Sequence, residues 1–214
     1  MTGLAWVLLA GFAVVSALDW VAVARRPEGQ LLETVCKPAA LGLLVLTALA
    51  LDPEDGGQRV WFVAGLVLSL AGDVFLLPAV DRFVAGLASF LLAHLAYVAG
   101  LAVDPGSSLG GLLVGAVVVA AVGVVLGRRV VSAAARQDRA MVGPVMAYIA
   151  AISAMVVAAV ATGDPPAIAG AALFYASDAL IALTRFERPR PWAPRAIMVT
   201  YHLGQLGLVS SLTG

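Results

Sequence analysis

Two aspartates stand deep inside apolar stretches of this 214-residue chain, Asp73 in Ser69-Leu70-Ala71-Gly72-Asp73 and Asp178 in Tyr175-Ala176-Ser177-Asp178. An ionisable group near the middle of a membrane helix costs at least about 2.5–3.5 kcal/mol, so each needs a partner or a task. Two carboxyls in one low-dielectric site can divide into a proton donor and a fixed negative charge, the basis of acid–base catalysis. Few other polar side chains share these stretches. Asp19, Lys37, His94 and His202 ionise, while Tyr97, Tyr148, Ser177, Tyr201 and Gln205 hydrogen-bond. Lys37 either neutralises a carboxylate or holds a phosphate. The histidines, Tyr148, Tyr201 and Ser177 have a plainer reading as hydrogen bonds between helices. Tyr201 and Gln205 lie four apart, on one helix face. Asp19 reads as a side chain that snorkels to the interface. Cys36 is the sole cysteine, which excludes an internal disulfide and a cysteine metal cluster, and it reads as a small packing residue.

The elements that must carry these residues are membrane helices. Apolar residues make up 62% of the chain and charged ones 12%, with a mean hydropathy of +1.00, far from soluble composition. The apolar excess falls into runs long enough to cross a bilayer core. Eight spans are predicted at about 3–24, 34–51, 60–78, 83–101, 109–127, 140–161, 167–184 and 193–212. Breaks fall at Asp52-Pro53-Glu54-Asp55-Gly56-Gly57, Asp104-Pro105-Gly106 and Gly163-Asp164-Pro165-Pro166, all turn chemistry. The first run reads as a retained span, since its cations Arg25 and Arg26 follow it rather than precede it. The fold class is thus an all-α transmembrane bundle, one domain over 1–214.

Loops one, three, five and seven hold Arg25, Arg26, Arg82, Arg128, Arg129, Arg136, Arg139, Arg185, Arg188, Arg190 and Arg195, and the even loops hold only Arg59. The positive-inside rule therefore predicts a cell-membrane protein with both termini outside. With that orientation Asp19, Asp73, Asp178, Lys37, His94, Tyr148, Tyr201 and His202 fall in the inner half or near the midplane, and one cavity lined by Asp73, His94, Asp178, Tyr201 and Gln205 is expected there. A weak repeat at an offset of about 105 residues relates Asp73 to Asp178 and His94-Leu95 to His202-Leu203. Its halves, 1–106 and 107–214, would share one orientation, as in a parallel repeat.

No nucleophile elbow, His-Glu-x-x-His or phosphate-binding glycine loop is present. No metal-ligand spacing appears, no cofactor is called for, and no charge run suggests nucleic acid. The residues alone leave an enzyme and a proton-coupled carrier of small solutes equally open.

Order and spacing along the chain add to this. Gly72-Asp73, then Gly86, Phe90, Ala93-His94 and Tyr97, then Tyr148, Ile152 and Met155, recur in a familiar sequence. The fullest stretch runs from Gly170-Ala171 through Leu173-Phe174 and Ser177-Asp178 to Leu180, Ala182 and Arg185-Phe186, followed by Tyr201 and Gln205. From Lys37-Pro38 onward the chain resembles the YhhN family of membrane proteins, which includes the animal lysoplasmalogenases; His202 is outside the pattern. The resemblance implies hydrolysis of the vinyl ether bond of lysoplasmalogens, with Asp73 and Asp178 as the catalytic pair. It places Lys37, His94, Tyr97, Tyr148, Ser177, Tyr201 and Gln205 around a lysophospholipid drawn from the bilayer. Either aspartate can be the acid, and the oligomeric state is left open.

Overall fold

The computed structural model describes residues 2–51, 56–104 and 106–213. The turn residues Asp52, Pro53, Glu54, Asp55 and Pro105 lie outside the described residues. Helices α1 (Gly3–Ala24), α2 (Gln30–Ala50), α3 (Gly56–Phe75) and α4 (Phe83–Ala102) form the first half. Then come α5 (Leu109–Val122), α6 (Arg128–Gln137), α7 (Val142–Thr162), α8 (Pro165–Phe186) and α9 (Ala193–Ser210). A π-helical turn, Gly123–Gly127, joins α5 to α6 in one continuous rod.

Local chemistry sets the helix ends. Thr2, Ser108 and Asp164 cap α1, α5 and α8 by accepting from Ala5 N, Gly111 N and Ala167 N. Pro165 and Pro166 occupy the first turn of α8, where the missing N–H is not needed. Gly163 ends α7 at φ 73°, a conformation that suits glycine. The α7–α8 connection is therefore only Gly163 and Asp164.

One boundary departs from expectation by more than end fraying. The fifth segment does not stop near residue 127 but runs on as α6 to Gln137. Arg128-Arg129-Val130-Val131-Ser132-Ala133-Ala134-Ala135-Arg136-Gln137 contains no Gly or Pro, and its Val130, Ala133 and Ala134 are buried on one face. Arg128, Arg129 and Arg136 thus sit on a helix, not in a loop. Helix α9 has the expected bounds but less hydropathy. Among the described residues seven segments are long and apolar enough to cross a membrane, and α9 is not one of them. It is 18 residues long, and it carries His202 and Gln205 fully buried on its inner face. Its neighbours α1, α2, α3 and α8 supply the surroundings that lipid supplies elsewhere.

Neighbours in sequence pack as pairs: α1 with α2, α3 with α4, α8 with α9. The α8–α9 contact is backbone to backbone. A Cβ added to Gly170 would lie 2.6 Å from Leu208 N, and one on Gly204 would lie 2.9 Å from Phe174 N. Membrane helices associate through such small-residue contacts because lipid offers no hydrophobic drive between them. The α5 helix shows the opposite. Only its Gly115 is buried, and Val117 is 70% exposed, so most of its surface faces lipid. The chain is a multi-pass, all-α membrane bundle with its polar residues gathered between α2, α3, α4, α7, α8 and α9.

Candidate active site

Asp73 and Asp178 each sit in a separate cluster. Asp73 is 1% exposed on α3. Lys37 of α2 places Nζ 3.2 Å from its Oδ1, and Tyr201 of α9 donates its hydroxyl to Oδ2 at 2.7 Å. Lys37 is itself buried, so this ion pair is sealed from water. A buried carboxylate is tolerable only with such a counter-charge and hydrogen bonds on both oxygens. One turn further along α9, Gln205 accepts a hydrogen bond at 2.6 Å from the hydroxyl of Tyr97 on α4.

Asp178 on α8 has different partners. Tyr148 of α7 donates to its Oδ2 at 2.5 Å. His94 Nε2 of α4 lies 3.5 Å from the same oxygen, without hydrogen-bond alignment. No lysine or arginine pairs with Asp178 among the described residues. Phe174, one turn before Asp178, stands between the clusters. Its ring is 4.8 Å from His94 and 5.3 Å from Tyr201.

A cleft reaches only one of the two. It is lined by Leu76, Phe83, Leu126, Val130, Ile149 and Ile181 among others, with Tyr148, Tyr175 and Asp178 as its polar residues. It encloses about 70 Å³ and is partly open. Phe83 and Phe186 mark its end nearest the arginines, while Tyr148, Ile152 and Asp178 lie deeper. The π-helical turn contributes Leu126 and Gly127 to its wall. Such bulges often mark functional segments. Of the five residues expected to line one cavity, Asp178 lines this cleft. Asp73, His94, Tyr201 and Gln205 pack behind the cleft instead of lining it, because aromatic rings of α4, α8 and α9 fill that space.

The remaining residues have structural partners. Ser177 donates to the Ile197 carbonyl at 3.1 Å, tying α8 to α9. His202 Nδ1 accepts from Trp20 Nε1 at 3.0 Å, which places the ring proton on Nε2. Asp19 does not reach the interface as expected: it is fully buried on α1 with neither oxygen hydrogen-bonded among the described residues. Helix α2 packs against α1, and Glu33, Lys37, Asp73 and Arg26 are the charged neighbours of Asp19.

Glu33 was not singled out in the sequence, and Phe174 was named there without a role in the site. Glu33 precedes Lys37 by four residues, on the same face of α2, and pairs with Arg26 through two hydrogen bonds, one of 2.6 Å. Phe174 precedes Asp178 by four on α8. The helical i, i+4 relation was the available signal for both. No group of three or more metal-binding side chains converges among the described residues.

The fold and site define a class: a multi-pass helical membrane protein with buried carboxylates, one of which faces a lipid-like cleft. The chain belongs to the YhhN family, whose profile matches residues 32–212. The protein named lysoplasmalogenase TMEM86B from Homo sapiens is 36% identical over 182 residues, 84% of this chain and 76% of its own length. A lysoplasmalogenase of Mycobacterium bovis is 34% identical over 200 residues, 85% of this chain and 73% of its own. The mouse (Mus musculus) lysoplasmalogenase TMEM86B is 30% identical over 183 residues, 82% and 72% of the two chains. No solved structure is a significant match.

Proposed function

We propose that this protein is a membrane-embedded lysoplasmalogenase, a hydrolase that cleaves the vinyl ether bond of lysoplasmalogens to a fatty aldehyde and a glycerophospho-head group. The observation that carries the reading is the carboxyl of Asp178 at the polar end of an apolar cleft, hydrogen-bonded by Tyr148. Relatives bearing the lysoplasmalogenase name support it along most of the chain.

The chemistry follows from the substrate. Protonation of the vinyl β-carbon leaves an oxocarbenium ion at the carbon bonded to oxygen. Water adds there, and the hemiacetal collapses to aldehyde and glycerol hydroxyl, so the net reaction consumes one water. Asp178 delivers the proton from the cleft, and its resulting carboxylate takes a proton back from the attacking water. Asp73, neutralised by Lys37 and hydrogen-bonded by Tyr201, anchors the wall behind Phe174 instead of acting as a second catalytic acid. In this assignment Lys37 serves Asp73, the charge-neutralising alternative of the two, and His94, Tyr97, Tyr201 and Gln205 hold the clusters in place. No metal or cofactor takes part.

The arginine-rich end faces the cytoplasm and both termini face outward, in the cell membrane. The halves 1–106 and 107–214 form a parallel repeat. In support, Lys37 of α2 reaches Asp73 of α3 just as Tyr148 of α7 reaches Asp178 of α8.

The deciding measurement is aldehyde release by purified protein given a lysoplasmalogen. Release that disappears in Asp178→Asn is expected. A folded wild type that frees no aldehyde from any lysoplasmalogen overturns the reading. Reporter fusions after Arg139 and at the C-terminus should read inside and outside respectively.

A further inference from the structure

A second pocket adjoins the cleft. Phe83 and Phe186 line both, and the second adds Arg82, Arg185, Gln137, Asp138 and Met141. It encloses about 490 Å³, wider than the cleft, and it lies at the arginine-rich end. Cleft and pocket together form a narrow apolar slot with a broad cationic mouth.

The two arginines of the mouth differ from Arg26, Arg129 and Arg190. Arg26 pairs with Glu33, and Arg129 and Arg190 pair with Glu187. Neither Arg82 nor Arg185 has a carboxylate partner among the described residues. Both are held in place nonetheless. The Arg185 guanidinium lies 4.7 Å over the Phe83 ring. Gln137 Nε2 donates to the carbonyls of Arg185 and Phe186 at 3.3 and 3.1 Å, pinning the end of α8 against α6. Arg82 immediately precedes α4. The carboxylate of Asp138 also faces the pocket, but its Oδ1 is occupied in capping the turn at Ala140 N, 2.9 Å away.

We propose that Arg82 and Arg185 bind the phosphate of a single-chain phospholipid whose chain enters the cleft. Guanidinium groups with free donors recognise phosphate oxygens by forked hydrogen bonds. The spacing agrees. Arg185 follows Asp178 by seven residues on α8, a rise of about 10.5 Å. Seven bonds separate phosphorus from the vinyl β-carbon of a lysoplasmalogen, about 8 Å when extended at about 1.2 Å per bond. A phosphate at the mouth thus sets the vinyl group near Asp178, and the alkenyl tail leaves through the open part of the cleft. Lys37 is excluded from this role because it is buried against Asp73. That the bound lipid is a substrate rests on the proposed function, whereas the phosphate site itself stands apart from turnover.

The test uses full-length protein in nanodiscs and two unreactive saturated-ether probes, 1-alkyl-glycerophosphoethanolamine and 1-alkylglycerol. Wild type should bind the phosphate-bearing probe about tenfold or more tightly than the alcohol. The double variant Arg82→Gln/Arg185→Gln should bring the two within about twofold, and Arg82→Lys/Arg185→Lys should keep part of the preference. Arg25→Gln, remote from the pocket, should bind like wild type. In turnover, the Gln pair should raise KM for lysoplasmalogen about tenfold and leave kcat within about threefold. The site is overturned if wild type shows no preference for the phosphate probe, or if the folded Gln pair keeps the preference in full. Should the Gln pair unfold, the Lys pair decides, and an affinity below wild type but above that for alkylglycerol is the supporting result. A phosphate preference that depends on these arginines, in a protein that releases no aldehyde, would leave the lipid site standing and remove only the hydrolase reading.

Discussion

The Asp73 and Asp178 clusters each join an aspartate to a tyrosine, Tyr201 for Asp73 and Tyr148 for Asp178, and they differ in one charge and one opening. Asp73 has Lys37 and Tyr201 and is closed off. Asp178 has Tyr148 and a loosely placed His94, and it faces the cleft. A buried carboxylate with a cation behaves as part of the framework, since removing either partner leaves a charge in a medium that cannot solvate it. A carboxyl without a cation, at the wall of an apolar slot, is placed to exchange a proton with whatever enters. In the proposed mechanism, environment, not residue type, separates the structural acid from the reactive one.

The largest effect that sharpens this comparison is on turnover. Asp178→Asn should lower aldehyde release by about 10²–10⁴-fold while the protein folds and inserts normally. Near-normal turnover in a folded Asp178→Asn protein would transfer the acid role elsewhere. The second effect is on stability. Lys37→Met strands the Asp73 carboxylate and should cost about 3–5 kcal/mol in reversible unfolding in detergent. Adding Asp73→Asn to it should recover much of that loss, because the pair is then replaced rather than broken. Equal losses in the single and double variants would mean that the ion pair does not set the penalty.

The tyrosines come next. Tyr148→Phe removes a donor from the cleft-facing carboxyl and should reduce kcat about tenfold with little change in melting. Tyr201→Phe should do the reverse, costing about 1.5–3 kcal/mol of stability for a hydrogen bond to a charged group. If both variants lose activity and stability alike, the division between the clusters is wrong. The smallest effect lies at the surface, where Arg129 hydrogen-bonds Glu187 and holds its carboxyl below the usual range. A lowered native pKa stabilises above the unfolded carboxylate pKa, and that contribution fades as pH falls through the native value. Glu187→Gln should therefore lower the melting temperature only slightly at neutral pH. The difference should vanish in acid and shrink in high salt, as for exposed ion pairs.

Much of the architecture was legible along the chain. Long apolar runs, interrupted by Gly163-Asp164-Pro165-Pro166 and similar breaks, specify membrane helices because each backbone group must be satisfied within its own segment. The isolation of Asp73, Asp178 and Lys37 in those runs marked them for the same reason, since a polar group there has to be accounted for. Composition also misled at one place. Arg128 and Arg129 suggested a loop, yet an amphipathic face carries α6 onward to Gln137. The polar α9 lacks the hydropathy of a free span, yet neighbouring helices bury it.

What only the tertiary structure decided is who faces whom. Lys37 could serve Asp73, Asp178 or a phosphate until the packing of α2 on α3 set it 3.2 Å from Asp73. The burial of Asp19, the opening of the cleft at Asp178 alone, and the meeting of Arg82 with Arg185 across α4 and α8 depend likewise on helix rotation and contact. Periodicity along one chain says which residues share a helix face. It does not say which face of another helix they meet, because that choice is made by close packing among residues more than a hundred positions apart, as where Tyr201 meets Asp73.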